Sequence, residues 1–158
     1  MNQDSGIPIL AALTAERDAL RDFVALLERE QNALVENLSD QLPALAEHKS
    51  ASALALSELV EARHLLLKNT LPELNETTIQ TWLRTRCPAA WPVWQELRSL
   101  VTRARQLNQN SGELIQMKLR YNQQALSVLS NAASKANLYG PDGQPNFSPG
   151  SGKPIASA

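Results

Sequence analysis

The sequence predicts an all-α protein: an elongated, antiparallel, coiled-coil-like bundle of three main helices, with a short connector helix and a disordered C-terminal tail. Apolar residues recur at heptad spacing over three long stretches, which is typical of helices that bury one face. Four of the 6 glycines and four of the 9 prolines follow Leu138, whereas most other prolines separate the three stretches. We therefore expect a helical domain over residues 1–139 and a flexible tail over residues 140–158.

The first predicted helix covers about residues 9 to 40. Two heptad positions of this stretch are apolar at seven of nine sites, with Arg17 and Gln31 as the exceptions. Such a pattern predicts one buried seam and a solvated outer face. The apolar seam positions are Leu10, Leu13, Leu20, Val24, Leu27, Leu34 and Leu38.

Pro43 ends the first stretch, because proline lacks the N–H of the helix ladder and disfavours helix at the preceding residue. The second predicted helix covers about residues 43 to 69, and Lys49, Ser52 and Arg63 interrupt its seam. The sequence leaves open whether the first two helices form a hairpin with a very short loop or one kinked helix.

Residues 70–92 form a connector with a predicted short helix over residues 78–86, for which Asn75, Thr77 and Thr78 offer N-caps. We expect its aromatic residues to close the end of the bundle where the chain turns, and a small-ligand site between them is the alternative. Three tryptophans, all that the chain has, lie in or beside the connector: Trp82, Trp91 and Trp94.

The third predicted helix, about residues 92 to 136, is the longest. One heptad seam runs from Val93 to Ala132 with Ser111 and Lys118 as its polar exceptions. The apolar stripe is wider than one seam requires, so it either packs against two helices or leaves a groove wall open for a partner helix. Both can hold at different ends of the helix. The second row consists of Val101, Ile115, Leu119, Leu126 and Leu129.

A polar interruption, Asn108 to Gly112, lies inside this third helix. Glycine in a helix interior costs about 1 kcal/mol relative to alanine. Three interpretations remain open: a tolerated kink, close approach by a neighbouring helix, or a buried polar group that fixes the helix register.

Charge is divided unequally along the chain, although the net charge is only −1. Residues 1–40 carry 8 acidic and 3 basic side chains, and residues 86–158 carry 3 acidic and 8 basic ones. An acidic first helix beside a basic last helix favours an antiparallel arrangement, with a small contribution from each exposed pair. The balanced total argues against nucleic-acid binding. No apolar run approaches the ~20 residues that span a bilayer, and the N-terminus lacks the features of a secretory signal.

The sequence offers no constellation for catalysis, so we expect no enzyme and no cofactor or metal site. Cys87, the single cysteine, precedes a proline and is expected to be a partly buried turn residue. His48 and His64 are sixteen residues apart, which is not the spacing of a helical metal-binding pair. We expect both histidines to be ordinary surface residues.

Three motifs in the second half of the chain resemble one family. They are LNQNSGELI from Leu107, YNQQALSVL from Tyr121 and LYGPDGQ from Leu138, and they follow a leucine-heptad helix with the pattern ERDALRDFVALLEREQNAL. In this order the motifs look like those of the flagellar export chaperone FlgN family. The resemblance covers nearly the whole chain, and residues 82–94 are its least family-like part.

The resemblance implies a cytoplasmic, soluble, helical chaperone without a catalytic site or cofactor. Proteins of this family bind the unfolded C-terminal helical segments of the hook–filament junction proteins and prevent their premature assembly. They then deliver these clients to the type III export gate. By the same resemblance, Tyr139, with Leu138 and Gly140 around it, contacts the cytoplasmic domain of the export gate.

A client segment of this kind is an amphipathic helix that lacks its folded partner, so an open bundle with spare apolar surface can cover it. The alternative function is a structural coiled-coil protein that acts only through self-association, and the sequence does not establish an oligomeric state. The candidate client-binding residues are Leu114, Ile115, Leu119, Leu126 and Leu129.

Overall fold

The computed structural model describes residues 5–138, and it confirms the all-α prediction. Within that range the regular structure is helical, with two short 3-10 turns at Ser39–Gln41 and Pro88–Ala90. The three predicted main helices and the connector helix are all present. Their bounds are Gly6–Val35 for α1, Leu42–Thr70 for α2, Glu76–Arg86 for α3 and Trp91–Leu138 for α4.

The chain divides into two compact units, residues 1–115 and residues 116–158, and each is described by itself. The first unit holds α1, α2, α3 and the N-terminal half of α4. In the second unit the described residues continue α4 as far as Leu138. The expected tail, residues 140–158, lies outside the described residues.

A sharp turn at Asn37 ends α1 and makes the first two helices a hairpin. Asn37 has a φ of 57°, a left-handed conformation that asparagine tolerates better than most residues. The N–H of Leu38 donates to the carbonyl of Ala33 at 2.8 Å, which is the six-to-one hydrogen bond of a Schellman motif. The helix therefore ends before the proline that the sequence marks, and Pro43 instead occupies the first turn of α2.

Ion pairs between helices establish the topology of the first unit. Along α1 and α2 the paired residue numbers run in opposite directions, Glu16 with Arg63 and Glu30 with Lys49, so these helices are antiparallel. Along α1 and α4 the numbers rise together, Arg21 with Glu96 and Glu28 with Arg103. The first and last helices do lie side by side, but they are parallel. The expected antiparallel orientation of this pair was wrong, because opposite net charges favour two helices as neighbours without fixing their direction.

An apolar core closes the end of the unit where α1 begins and α4 starts. Trp94 is buried there, while Trp82 and Trp91 pack against the core from its edge. This confirms that the tryptophans close the bundle end. The buried residues of this core are Ile9, Leu13, Leu67, Leu71, Ile79, Leu83, Cys87, Ala90, Val93 and Trp94.

The predicted seam of α1 packs against both neighbouring helices. Leu20, Val24 and Leu27 form a cluster with residues of α4, and Leu26 and Ala33 form another with Leu45 of α2. None of the seven apolar seam positions is exposed. Leu26 and Ala33 lie outside the predicted seam, and they are buried because α1 touches two helices rather than one.

Two of the three residues that interrupt the seam of α2, Lys49 and Arg63, face inward and pair with buried acids of α1. Arg63 Nε donates to Glu16 Oε2 at 2.7 Å, and its guanidinium lies 5.4 Å from the centre of the Trp94 ring. Glu16 is only 2% exposed. Lys49 Nζ donates to Glu30 Oε1 at 3.0 Å. Charged side chains thus take positions in the α1–α2 interface that the heptad pattern assigns to apolar residues.

The polar interruption of α4 also contributes to this interface. Lys49 Nζ donates a second hydrogen bond, at 2.8 Å, to Asn108 Oδ1. The helix continues through Gly112, and a Cβ built there would meet nothing within 4 Å. Asn108 is exposed, so this inter-helix hydrogen bond is not the buried polar group of the third interpretation. The open space at Gly112 contradicts close helix approach there.

Candidate functional site

The heptad seam of α4 is buried in the first unit. Val93, Leu97, Ala104 and Leu107 are covered by α1 and by the tryptophan core, and Ser111 continues the row at 1% exposure. Farther along the row, Leu114 is half-buried. The N-terminal half of α4 therefore uses this stripe as core, which is the first of the two interpretations of its width.

In the second unit the apolar residues of α4 are exposed. All side chains from residue 119 to residue 136 are exposed, although apolar residues still recur there at helical spacing. The exposed fraction of the large apolar side chains ranges from 50% at Leu119 to 72% at Tyr121. The exposed apolar residues of this unit are Met117, Leu119, Tyr121, Leu126, Val128 and Leu129.

These side chains form two separate stripes. Leu119, Leu126 and Leu129 follow one another at steps of seven and three residues, which places them on one helix face, and we call them the leucine stripe. A second stripe, at steps of four and seven residues, lies on a different face. We call it the tyrosine stripe, and it consists of Met117, Tyr121 and Val128.

Three of the five predicted client-binding residues, Leu119, Leu126 and Leu129, are thus together and exposed in the second unit. The other two belong to the first unit, where Leu114 is half-buried and Ile115 is 43% exposed. Met117 belongs to neither predicted row and was not predicted as a client-binding residue. Its spacing of four residues before Tyr121 is the signal that would have found it.

The predicted docking element lies at the boundary of the described residues. Leu138 is the last residue of α4. Tyr139 and Gly140 lie outside the described residues, so the role of the element stays a prediction.

The side chains with catalytic potential are dispersed through the first unit. Cys87 is buried at the end of α3, and its Sγ lies 3.5 Å from the carbonyl oxygen of Gly6. His48 and His64 are exposed on α2, as expected. Among residues 5–138, no group of three or more His, Cys, Asp or Glu side chains could hold a metal ion.

The three tryptophans differ in their surroundings. Arg84 stacks 4.2 Å from the centre of the Trp91 ring, and Trp94 lies inside the core. Trp82 lines an open groove beside α3 together with threonines of that helix, including Thr78 and Thr81. Neither Trp91 nor Trp94 lines this groove, so it is not a site between the three tryptophans.

Within the part of the chain that the structure describes, no helix combines the length and apolarity needed to cross a membrane. The fold and the exposed stripes define a class: a helical protein that leaves apolar helix surface open to solvent.

Comparison with known proteins identifies the family to which the chain belongs. The family model described as FlgN protein matches residues 8–146, so the chain belongs to the FlgN family. Two relatives, each named Flagella synthesis protein FlgN, come from Salmonella typhimurium (strain LT2) and Salmonella typhi. Each is 31% identical over 139 residues, which cover 87% of this chain and 89% of the relative. The comparison with solved structures gives no match.

Proposed function

We propose that this protein is a cytoplasmic flagellar export chaperone. It binds the C-terminal helical segments of the hook–filament junction proteins, prevents their premature assembly and delivers them to the type III export gate. Membership of the FlgN family and the name of the two relatives, Flagella synthesis protein, support a role in flagellum assembly. The observation that carries the proposal is the exposed leucine stripe of α4.

The leucine stripe suits an amphipathic client helix. Leu119, Leu126 and Leu129 span about three helical turns, which matches the anchor spacing of helix-in-groove recognition. Covering one such leucine is worth about 1.5–3 kcal/mol. A client that folds on binding loses part of this gain as ordering entropy, so the complex stays reversible. Reversibility is what a chaperone that releases its client for export requires.

The proposed activity uses binding alone and involves no bond chemistry. We infer that the chain acts without a catalytic residue, cofactor or metal, in agreement with the separate positions of Cys87, His48 and His64.

Calorimetry with a peptide from the C-terminus of a hook–filament junction protein tests client binding. We expect one-to-one binding at micromolar concentration. Leu126→Glu should weaken it by roughly tenfold or more, because a charge replaces a covered leucine. Gln124→Glu is the matched control, since it places the same charge on the same helix outside the leucine stripe and should leave the affinity unchanged. Undetectable binding by the unmodified chain would refute the proposal.

A second measurement separates client binding from gate docking. We propose that Tyr139 serves the gate, so Tyr139→Ala should weaken binding to the cytoplasmic domain of the export gate and leave client affinity intact. Loss of both in equal measure would contradict this division between Tyr139 and the leucine stripe.

A further inference from the structure

The outer face of α2 is an unpartnered helix surface with acidic character. Of the 29 residues of α2, only Leu45 and Leu67 are buried. On the face away from α1, exposed leucines and exposed glutamates follow one another at steps of seven, four, three and four residues. We call this face the acidic row, and it consists of Glu47, Leu54, Glu58, Glu61 and Leu65, with exposed Lys68 at its C-terminal end.

The described part of the second unit has the opposite charge. Residues 116–138 contain three basic side chains, Lys118, Arg120 and Lys135, and no acidic one. Two of these belong to the tyrosine stripe by spacing, since Arg120 lies three residues after Met117 and Lys135 seven residues after Val128. The tyrosine stripe therefore presents exposed apolar side chains with basic neighbours.

We infer that the tyrosine stripe of one copy of this chain docks on the acidic row of α2 in a second copy. Both surfaces carry large exposed apolar side chains, Tyr121 and Val128 on one and Leu54 and Leu65 on the other. Their flanking charges are opposite in sign, which selects this pairing over others. Each copy has both surfaces, so two copies can exchange them reciprocally and close the assembly as a dimer.

Charge also disfavours the simplest competing arrangement, the pairing of two tyrosine stripes. Pairing of two tyrosine stripes would bring Arg120 and Lys135 of one copy against the same residues of the other, with no acid in either segment. Like charges in juxtaposition oppose association. The acidic row offers Glu58 and Glu61 to the same basic side chains instead.

The inferred dimer leaves the leucine stripe uncovered. Leu119, Leu126 and Leu129 lie on a different face of α4 from Met117, Tyr121 and Val128. If the leucine stripe binds clients as proposed, both copies of the dimer retain a client site.

Sedimentation analysis of the full chain at about 100 μM tests the inference. We expect a dimer that weakens with added salt, since exposed charges are screened. Glu58→Lys with Glu61→Lys should weaken dimerisation about tenfold, and Arg120→Glu with Lys135→Glu should do the same. Asp22→Lys with Glu36→Lys, on exposed sites of α1, is the matched control and should leave the dimer unchanged.

A mixture of the two charge-reversed variants gives the most specific test. One carries Glu58→Lys with Glu61→Lys, and the other carries Arg120→Glu with Lys135→Glu. Each variant alone places like charges against each other, whereas a mixed dimer pairs opposite charges at both contacts, so mixing should restore association. A monomer at every concentration would overturn the inference, because the acidic row would then be free for a foreign partner. Unchanged dimerisation of Arg120→Glu with Lys135→Glu would also overturn it, since self-pairing of tyrosine stripes brings like charges together before and after this reversal.

The outcome is independent of client binding. Sedimentation needs no client, and Leu126→Glu should weaken the client complex while leaving the dimer intact. Failure of the proposed function and failure of this inference are therefore distinguishable in the same set of variants.

Discussion

Glu16 is the residue at which the sequence pattern and the structure differ most. It is 2% exposed, yet it is an acid on the flank that a heptad template assigns to solvent. Its carboxylate accepts a 2.7 Å hydrogen bond from Arg63, which also lies over the Trp94 ring. A carboxylate removed from water is tolerated because a positively charged partner on the facing helix compensates it.

Removal of one partner should therefore cost far more than removal of an exposed acid. We expect Glu16→Ala to lower the free energy of unfolding by about 3 kcal/mol, because Arg63 would keep its charge in a mostly buried site. Asp22→Ala, on an exposed site of α1, should change it by less than about 0.5 kcal/mol. Urea denaturation measures both, and equal losses for the two variants would show that the pair contributes nothing specific.

The charged pairs between α1 and α2 could not be predicted from the sequence. In the sequence, Lys49 and Arg63 interrupt the apolar seam of α2, because a heptad pattern describes one helix and not the helices that pack against it. Their partners, Glu30 and Glu16, lie 19 and 47 residues away, and only the hairpin brings them together. His48 and His64 are exposed, as predicted.

At the scale of the element, Asn37 decides how the chain leaves α1. Its positive φ and the Schellman hydrogen bond of Leu38 turn the chain before Pro43 is reached. The sequence marks the break within a few residues but not its form, because a left-handed asparagine leaves no signal as strong as proline or glycine.

Two substitutions at Asn37 should distinguish the contribution of its left-handed backbone conformation to stability from the contribution of its side chain. Asn37→Ala should lower the free energy of unfolding by about 1 kcal/mol, since a Cβ without a polar side chain strains the left-handed conformation. Asn37→Gly should be tolerated better than Asn37→Ala, because glycine adopts this conformation without steric cost. Thermal denaturation of the two variants checks the order, and a more stable Asn37→Ala would contradict the role of this turn.

The apolar heptad row of α4 supplies core residues in the first unit and exposed residues in the second. The row is apolar on both sides of Ser111, so periodicity predicts a helix throughout. Burial nevertheless differs along this row: Leu107, in the first unit, is 1% exposed, whereas Tyr121, in the second, is 72% exposed. The change depends on where neighbouring helices lie, which a single-helix pattern does not contain.

For the whole molecule, helix number and approximate bounds were predictable, but helix directions were not. The three heptad stretches and their separating prolines correspond to α1, α2 and α4. The charges of residues 1–40 and 86–158 indicated neighbours correctly and direction wrongly. Of the pairs at the contact, Glu28 with Arg103 follows the majority charge of each helix and Arg21 with Glu96 reverses it, so net charge alone does not fix the direction.

The central claim is that the exposed leucine stripe of α4, rather than the packed helices of the first unit, receives the client. Hydrogen exchange of the full chain, with and without a C-terminal peptide of a hook–filament junction protein, tests this most directly. A helix surface that gains a packed partner opens less often, so its amides exchange more slowly. We predict that the peptide slows exchange within residues 116–136. Slower exchange confined to residues 6–110 would contradict the claim.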